Sequence, residues 1–114
     1  MYSSILNITF DCADAREQAT FWAAVTGWTS QERDATPGHV EYAVEPPSPG
    51  GPRLYFTTVP EPKTVKNRMH LDIYGDTQTI LAAGARLLRS KGGDIEWDVL
   101  ADPEGNEFCV FAET

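Results

Sequence analysis

The chain has 114 residues, 41% of them hydrophobic, with three tryptophans and a formal net charge of −8. That length supplies one domain with a core of its own, and the apolar share excludes global disorder. The acidic balance excludes a nucleic-acid partner, which needs clustered Lys and Arg, and disfavours an anionic membrane; it suits a neutral or cationic small ligand.

Ser4 to Asp11 alternates in character and is rich in Ile, Thr and Phe, which predicts a strand. Asp14 follows as a helix N-cap. Ala15, Ala19, Trp22 and Ala23 then recur at helical spacing until Gly27 closes the helix. WTSQERD, HVEYAVE and RLYFTTV read as three short strands, separated by the turn-forming ATPG and PPSPGGP. In the second half NRMHLDIY predicts a strand, Asp76 a second N-cap and TQTILAAG a helix ending at Gly84. ARLLRS also fits a longer helix, but the Gly84 stop favours a strand, with KGGD as a hairpin turn. IEWDVLA and NEFCVFA are strands joined by DPEG, a turn with Asp first, Pro second and Gly fourth.

Both halves thus read β-α-β-β-β, about residues 1–59 and 67–114, with Pro60 to Asn67 as the connection. The expected fold is α+β: one domain over residues 1–114, with two βαβββ repeats forming a curved mixed sheet and helices on its outer face. No window approaches the roughly twenty apolar residues of a membrane span, and the N-terminus has no basic segment followed by an apolar run. We therefore expect a cytoplasmic protein with no membrane partner, in which Cys12 and Cys109 remain thiols.

Strand side chains alternate between two faces. Leu6, Ile8, Phe10, Leu54, Phe56, Met69, Leu71, Ile73, Phe108 and Val110 form an apolar set expected to meet the helices. Asn7, Arg53, Tyr55, His70, Asp72, Tyr74, Cys109 and Phe111 fall on the other face. A solvated sheet face explains polar residues alone; aromatics mixed with convergent polar groups favour a ligand pocket.

The D-x-x-x-A-x-x-F-W…G-W pattern of Asp14 to Trp28, KNRMHLDI of Lys66 to Ile73 and VLADPEGNEFCV of Val99 to Val110 accompany this repeat. Together they resemble the vicinal oxygen chelate superfamily, in its glyoxalase, bleomycin resistance protein and dioxygenase branch. Metal-dependent members hold a divalent ion in the trough of the sheet. The resemblance puts their ligand positions on Asn7, Tyr55, His70 and Cys109, of which His70 alone carries the family's residue type. A hard or borderline ion wants imidazole and carboxylate donors, so the set is degenerate and no cofactor is expected. His70 with Cys109 suits zinc but lacks a third good donor.

His70 is the candidate acid/base group, with Asp72 two residues along able to influence it; a structural histidine is the alternative. Cys109 is a nucleophile only if a cation lowers its pKa, and otherwise a small buried thiol. Arg53 and Arg68 suit a ligand anion or pairing with Asp11, Asp72 or Glu107. Two functions follow. The first is a metal-free, small-molecule-binding protein of the bleomycin-resistance type, with Asn7, Arg53, Tyr55, His70, Asp72, Cys109 and Phe111 lining the trough. Such members commonly form homodimers. The second is a metal-independent or atypical-metal enzyme of lyase or isomerase type using His70; glyoxalase I chemistry is disfavoured because it needs the metal.

Overall fold

Residues 2–48 and 50–112 are described by a computed structural model. Pro49 of the PPSPGGP loop, and Met1, Glu113 and Thr114 at the ends of the expected domain, lie outside the described residues. The chain divides into two units, Met1–Pro62 and Lys63–Thr114, each with the expected β-α-β-β-β order.

The first unit contains β1 (Asn7–Cys12), α1 (Ala15–Thr26), β2 (Thr29–Asp34), β3 (Glu41–Glu45) and β4 (Arg53–Thr58). The Asp14 carboxylate accepts the Glu17 N–H at 3.0 Å, satisfying one of the free donors at the start of α1. Gly27 ends the helix at φ 73° and returns its N–H to the Ala23 carbonyl at 2.9 Å. Between these caps Ala15, Gln18, Ala19, Phe21 and Trp22 are buried, a stripe that packs on the sheet. The sheet runs β1-β4-β3-β2, with β1 parallel to β4 and the other pairs antiparallel. Its core is aromatic: Phe10 lies 5.8 Å from Trp22 and 5.0 Å from Phe56, ring centre to ring centre, and Phe21 meets Trp22 edge-on.

The second unit contains β5 (Leu71–Tyr74), α2 (Thr77–Ala82), β6 (Arg86–Arg89), β7 (Asp98–Ala101) and β8 (Glu107–Phe111), in sheet order β5-β8-β7-β6. The fold is therefore α+β, with a four-stranded mixed sheet in each unit. Asp76 caps α2 as expected, accepting from both the N–H and the hydroxyl of Thr79. ARLLRS is a strand, the choice that the stop at Gly84 favoured. The DPEG turn is fastened by the buried Asp102, whose carboxylate accepts the N–H groups of Glu104 and Asn106 at 3.0 and 2.9 Å.

Several expectations need correction. The first strand starts at Asn7, leaving Leu6 of the expected apolar set 70% exposed. The fifth starts at Leu71, because Asn67 is drawn to the end of β8, its N–H donating to Glu107 and its side chain to Asn106. Met69, outside that shortened strand, is 82% exposed and no part of the core. A contact not foreseen from sequence also ties α2 to the sheet: Asp98, in register with Val110 on the apolar face, accepts the Thr77 hydroxyl at 2.5 Å.

Candidate functional site

Period two along β1, β3 and β4 places one row of side chains across the polar face of the first sheet. Asn7 stands opposite Arg53 in the parallel register. The antiparallel register of β3 with β4 brings Glu45 to the other side of Arg53. The guanidinium fills the space between them, donating from Nε to Asn7 Oδ1 at 2.7 Å and from a terminal nitrogen to Glu45 Oε1 at 2.9 Å. Its Cζ lies 5.3 Å from the centre of the Tyr55 ring, within cation–π range. Tyr55 donates its hydroxyl to Glu41 at 2.5 Å. That bond, followed by burial and the Glu41 charge, holds the Tyr55 phenol above its ordinary value. Arg53 thus pairs with Glu45, not with the acids expected from sequence. Glu41 and Glu45 were missed, although the alternation of HVEYAVE puts both on the face of Tyr55 and Arg53.

The second sheet gathers a different set. Asp72 and Cys109 are register partners on β5 and β8, and His70 precedes β5 on the same side. His70 Nδ1 lies 3.2 Å from Asp72 Oδ1 and 4.0 Å from Cys109 Sγ. Cys109 is 8% exposed, whereas His70 and Asp72 are exposed. Burial first, and then the Asp72 carboxylate, push the thiol up, the reverse of what a nucleophilic cysteine needs. Both neighbours also meet the same imidazole nitrogen, so no relay runs from Asp72 through the ring to Cys109. Phe111 stacks obliquely on Trp97, ring centres 5.4 Å apart, and Tyr74 is exposed.

The two groups sit in different units: Asn7, Arg53 and Tyr55 in the first, and His70, Asp72, Cys109 and Phe111 in the second. A cavity of 370 Å³ lies on the helix side of the first unit, lined by Asp14, Arg16, Glu32, Val40, Tyr42 and Thr58 among others. There Arg16 donates to the Tyr42 hydroxyl, which donates in turn to Glu32.

The sequence profile of the glyoxalase-like domain matches residues 7–111, nearly the whole chain. The chain belongs to the glyoxalase-like family. Solved structures share the fold at low identity. A glyoxalase/bleomycin resistance protein/dioxygenase family enzyme from Burkholderia phytofirmans is 18% identical, with TM-score 0.72 over 96% of this chain and 98% of its own. A variant of the fosfomycin resistance protein FosX from Listeria monocytogenes, in complex with Mn(II) and 1S,2S-dihydroxypropylphosphonic acid, is 14% identical. Its TM-score is 0.75 over 100% of this chain and 95% of its own. A glyoxalase-related enzyme from Fulvimarina pelagi is 19% identical, with TM-score 0.65 over 98% and 89%. No curated protein matches the chain.

Of the glyoxalase-like ligand positions, Asn7, Tyr55 and Cys109 do not fit a hard ion of the Mn²⁺ type, whereas His70 does. Asn7 Oδ1 already accepts from Arg53. An ion bound there meets a guanidinium charge about 4 Å away, a repulsion on the order of 8 kcal/mol at an effective dielectric near 20 before the Glu45 carboxylate is counted. The Tyr55 hydroxyl is engaged by Glu41, and Cys109 offers sulfur where such an ion wants oxygen.

Proposed function

We propose that the protein binds a small neutral or cationic organic ligand on the polar sheet face and does so without the hard divalent ion of metal-dependent relatives. The carrying observation is Arg53, whose charge lies against Asn7 at the first-strand ligand position and is tied to Glu45 beyond it. Tyr55 and Arg53 offer the ligand a ring face and hydrogen-bond donors; Glu41, Glu45 and Asp11 leave this face with more negative than positive charge, which favours neutral or cationic molecules. Phe111, Asp72, His70 and Cys109 form a second proposed binding set, contained in the second unit.

The two repeats make up one glyoxalase-like domain in this reading, and the protein works in the cytoplasm as a homodimer. Leu87 and Leu88 on the edge strand β6, 41% and 45% exposed, are apolar surface of the kind a second subunit covers. Light scattering after size exclusion that gives a monomer counts against the dimer.

The binding reading is tested by a thermal-shift screen of neutral and cationic aromatic metabolites, without added metal, on wild type and on Arg53→Met and Tyr55→Phe. A ligand that binds the folded state raises Tm, and the two variants lose that increment. A ligand whose increment both variants retain places its binding elsewhere.

The His70–Asp72 contact favours a second reading, an enzyme of lyase or isomerase type in which His70 moves a proton. Loss of turnover in His70→Ala with ligand binding intact supports it; unchanged turnover removes it.

A further inference from the structure

Zinc on the sequence reading lacked a third donor, and the second sheet supplies one. We propose that His70 Nδ1, Asp72 Oδ1 and Cys109 Sγ form a zinc site contained within the second unit, with solvent as the fourth ligand. This goes beyond the ligand-binding reading, which sets aside a hard divalent ion and leaves room for a thiophilic one. It also differs from the donor set that the family resemblance implies. It needs nothing from Asn7 or Tyr55, uses sulfur instead of carboxylate on β8, and adds Asp72, to which the resemblance gives no ligand.

The distances carry the argument. Tetrahedral zinc with Zn–S about 2.3 Å and Zn–N or Zn–O about 2.0–2.1 Å sets S···N near 3.6 Å and N···O near 3.3 Å, to a rough figure. Here Sγ···Nδ1 is 4.0 Å and Nδ1···Oδ1 is 3.2 Å, and all three donors lie within 4.8 Å of one another. The two distances to Nδ1 lie within a few tenths of an ångström of those values, and rotation of the exposed Asp72 side chain brings Oδ1 toward Sγ.

The scaffold is fixed where it matters. Asp72 and Cys109 are paired in the β5–β8 ladder, so their Cα separation is set by backbone hydrogen bonds and not by loops. Cys109 is buried while His70 and Asp72 are exposed, which shelters the sulfur and leaves an entry path from solvent. Thiolate, carboxylate and neutral imidazole bring two negative charges, balancing Zn²⁺. As the Zn–S bond forms, the thiol proton leaves to buffer.

The test is a titration of the full chain with Co²⁺, which reports tetrahedral thiolate coordination through a sulfur-to-cobalt charge-transfer band in the near ultraviolet. The band is expected to saturate at one ion per chain, to vanish on adding Zn²⁺, to persist in Cys12→Ser and to be lost in Cys109→Ser. Asp72→Asn, at an exposed position that leaves the fold intact, is expected to weaken Co²⁺ binding at least about tenfold. Absence of the band in wild type, its survival in Cys109→Ser, or unchanged affinity in Asp72→Asn each overturns the site. Running the aromatic-ligand screen on zinc-free and zinc-loaded protein separates a failure here from a failure of the binding reading.

Discussion

Asp102→Ala removes the fastening of the turn that delivers β8, and the structure allows its cost to be worked out. The buried carboxylate accepts from Glu104 N at 3.0 Å, from Asn106 N at 2.9 Å and from Asn106 Nδ2 at 3.2 and 3.0 Å on its two oxygens. A hydrogen bond to a charged group is worth about 1.5–3 kcal/mol, and an orphaned buried donor costs about 1–3 kcal/mol. Glu104 and Asn106 are half-buried, so water recovers part of the loss. The backbone bonds Asp102 N to Asn106 O and Gly105 N to Asp102 O survive the substitution. The net expectation is a loss of about 2–4 kcal/mol, which lowers Tm on the order of 10–20 °C. Asp102→Asn keeps one acceptor and should cost about 1 kcal/mol. Urea unfolding followed by tryptophan fluorescence reads both, at constant m. An alanine variant within about 0.5 kcal/mol of wild type, the range of ordinary surface substitutions, would show that the turn does not depend on the Asp102 carboxylate.

Trp22→Ala should cost about 3–5 kcal/mol, since the indole is 1% exposed and packs on Phe10 and Phe21; a smaller loss in the same urea experiment means the α1 stripe is not the core. The Tyr55 phenol is raised in the folded state, so its contribution is complete below the unfolded value near 10 and is lost as pH rises through the folded value. Tyr55→Phe should therefore lessen the fall in stability above about pH 10, and an unchanged alkaline limb in a pH series of Tm contradicts this. The Asp98 carboxyl is held low by the Thr77 hydroxyl and then by the Lys91 N–H. Its stabilisation is present above the unfolded value near 4 and disappears as pH falls through the folded one, so Asp98→Asn should flatten the acid limb; identical acid limbs in the two proteins sink the assignment.

What sequence could deliver depended on how local the physics was. Asp14, Gly27 and Asp76 act on backbone groups within four residues, so helix limits were legible from residue type. Period two separated Arg53 and Tyr55 from Leu54 and Phe56, and the burial of β4 follows that alternation. Strand ends were not legible, because they depend on partners far along the chain. Asn67 leaves the strand pattern for Glu107 and Asn106, and Met69 leaves with it. The partner of Arg53 needed the register of three strands. Once β1, β4 and β3 are aligned, Glu45 is its neighbour and Asp11 is not. Similarly, Asp72 was seen beside His70 by parity, but its approach to Cys109 required the parallel β5–β8 pairing.

In the proposed reading Arg53, tied to Asn7 and Glu45, keeps a hard ion from the first-strand ligand position. A titration of the chelator-free protein with Mn²⁺, followed by the electron spin resonance of the free ion, addresses it directly. The free-ion signal should grow with added Mn²⁺ as it does in buffer alone. Loss of one equivalent of signal per chain, restored by a competing hard ion, contradicts it.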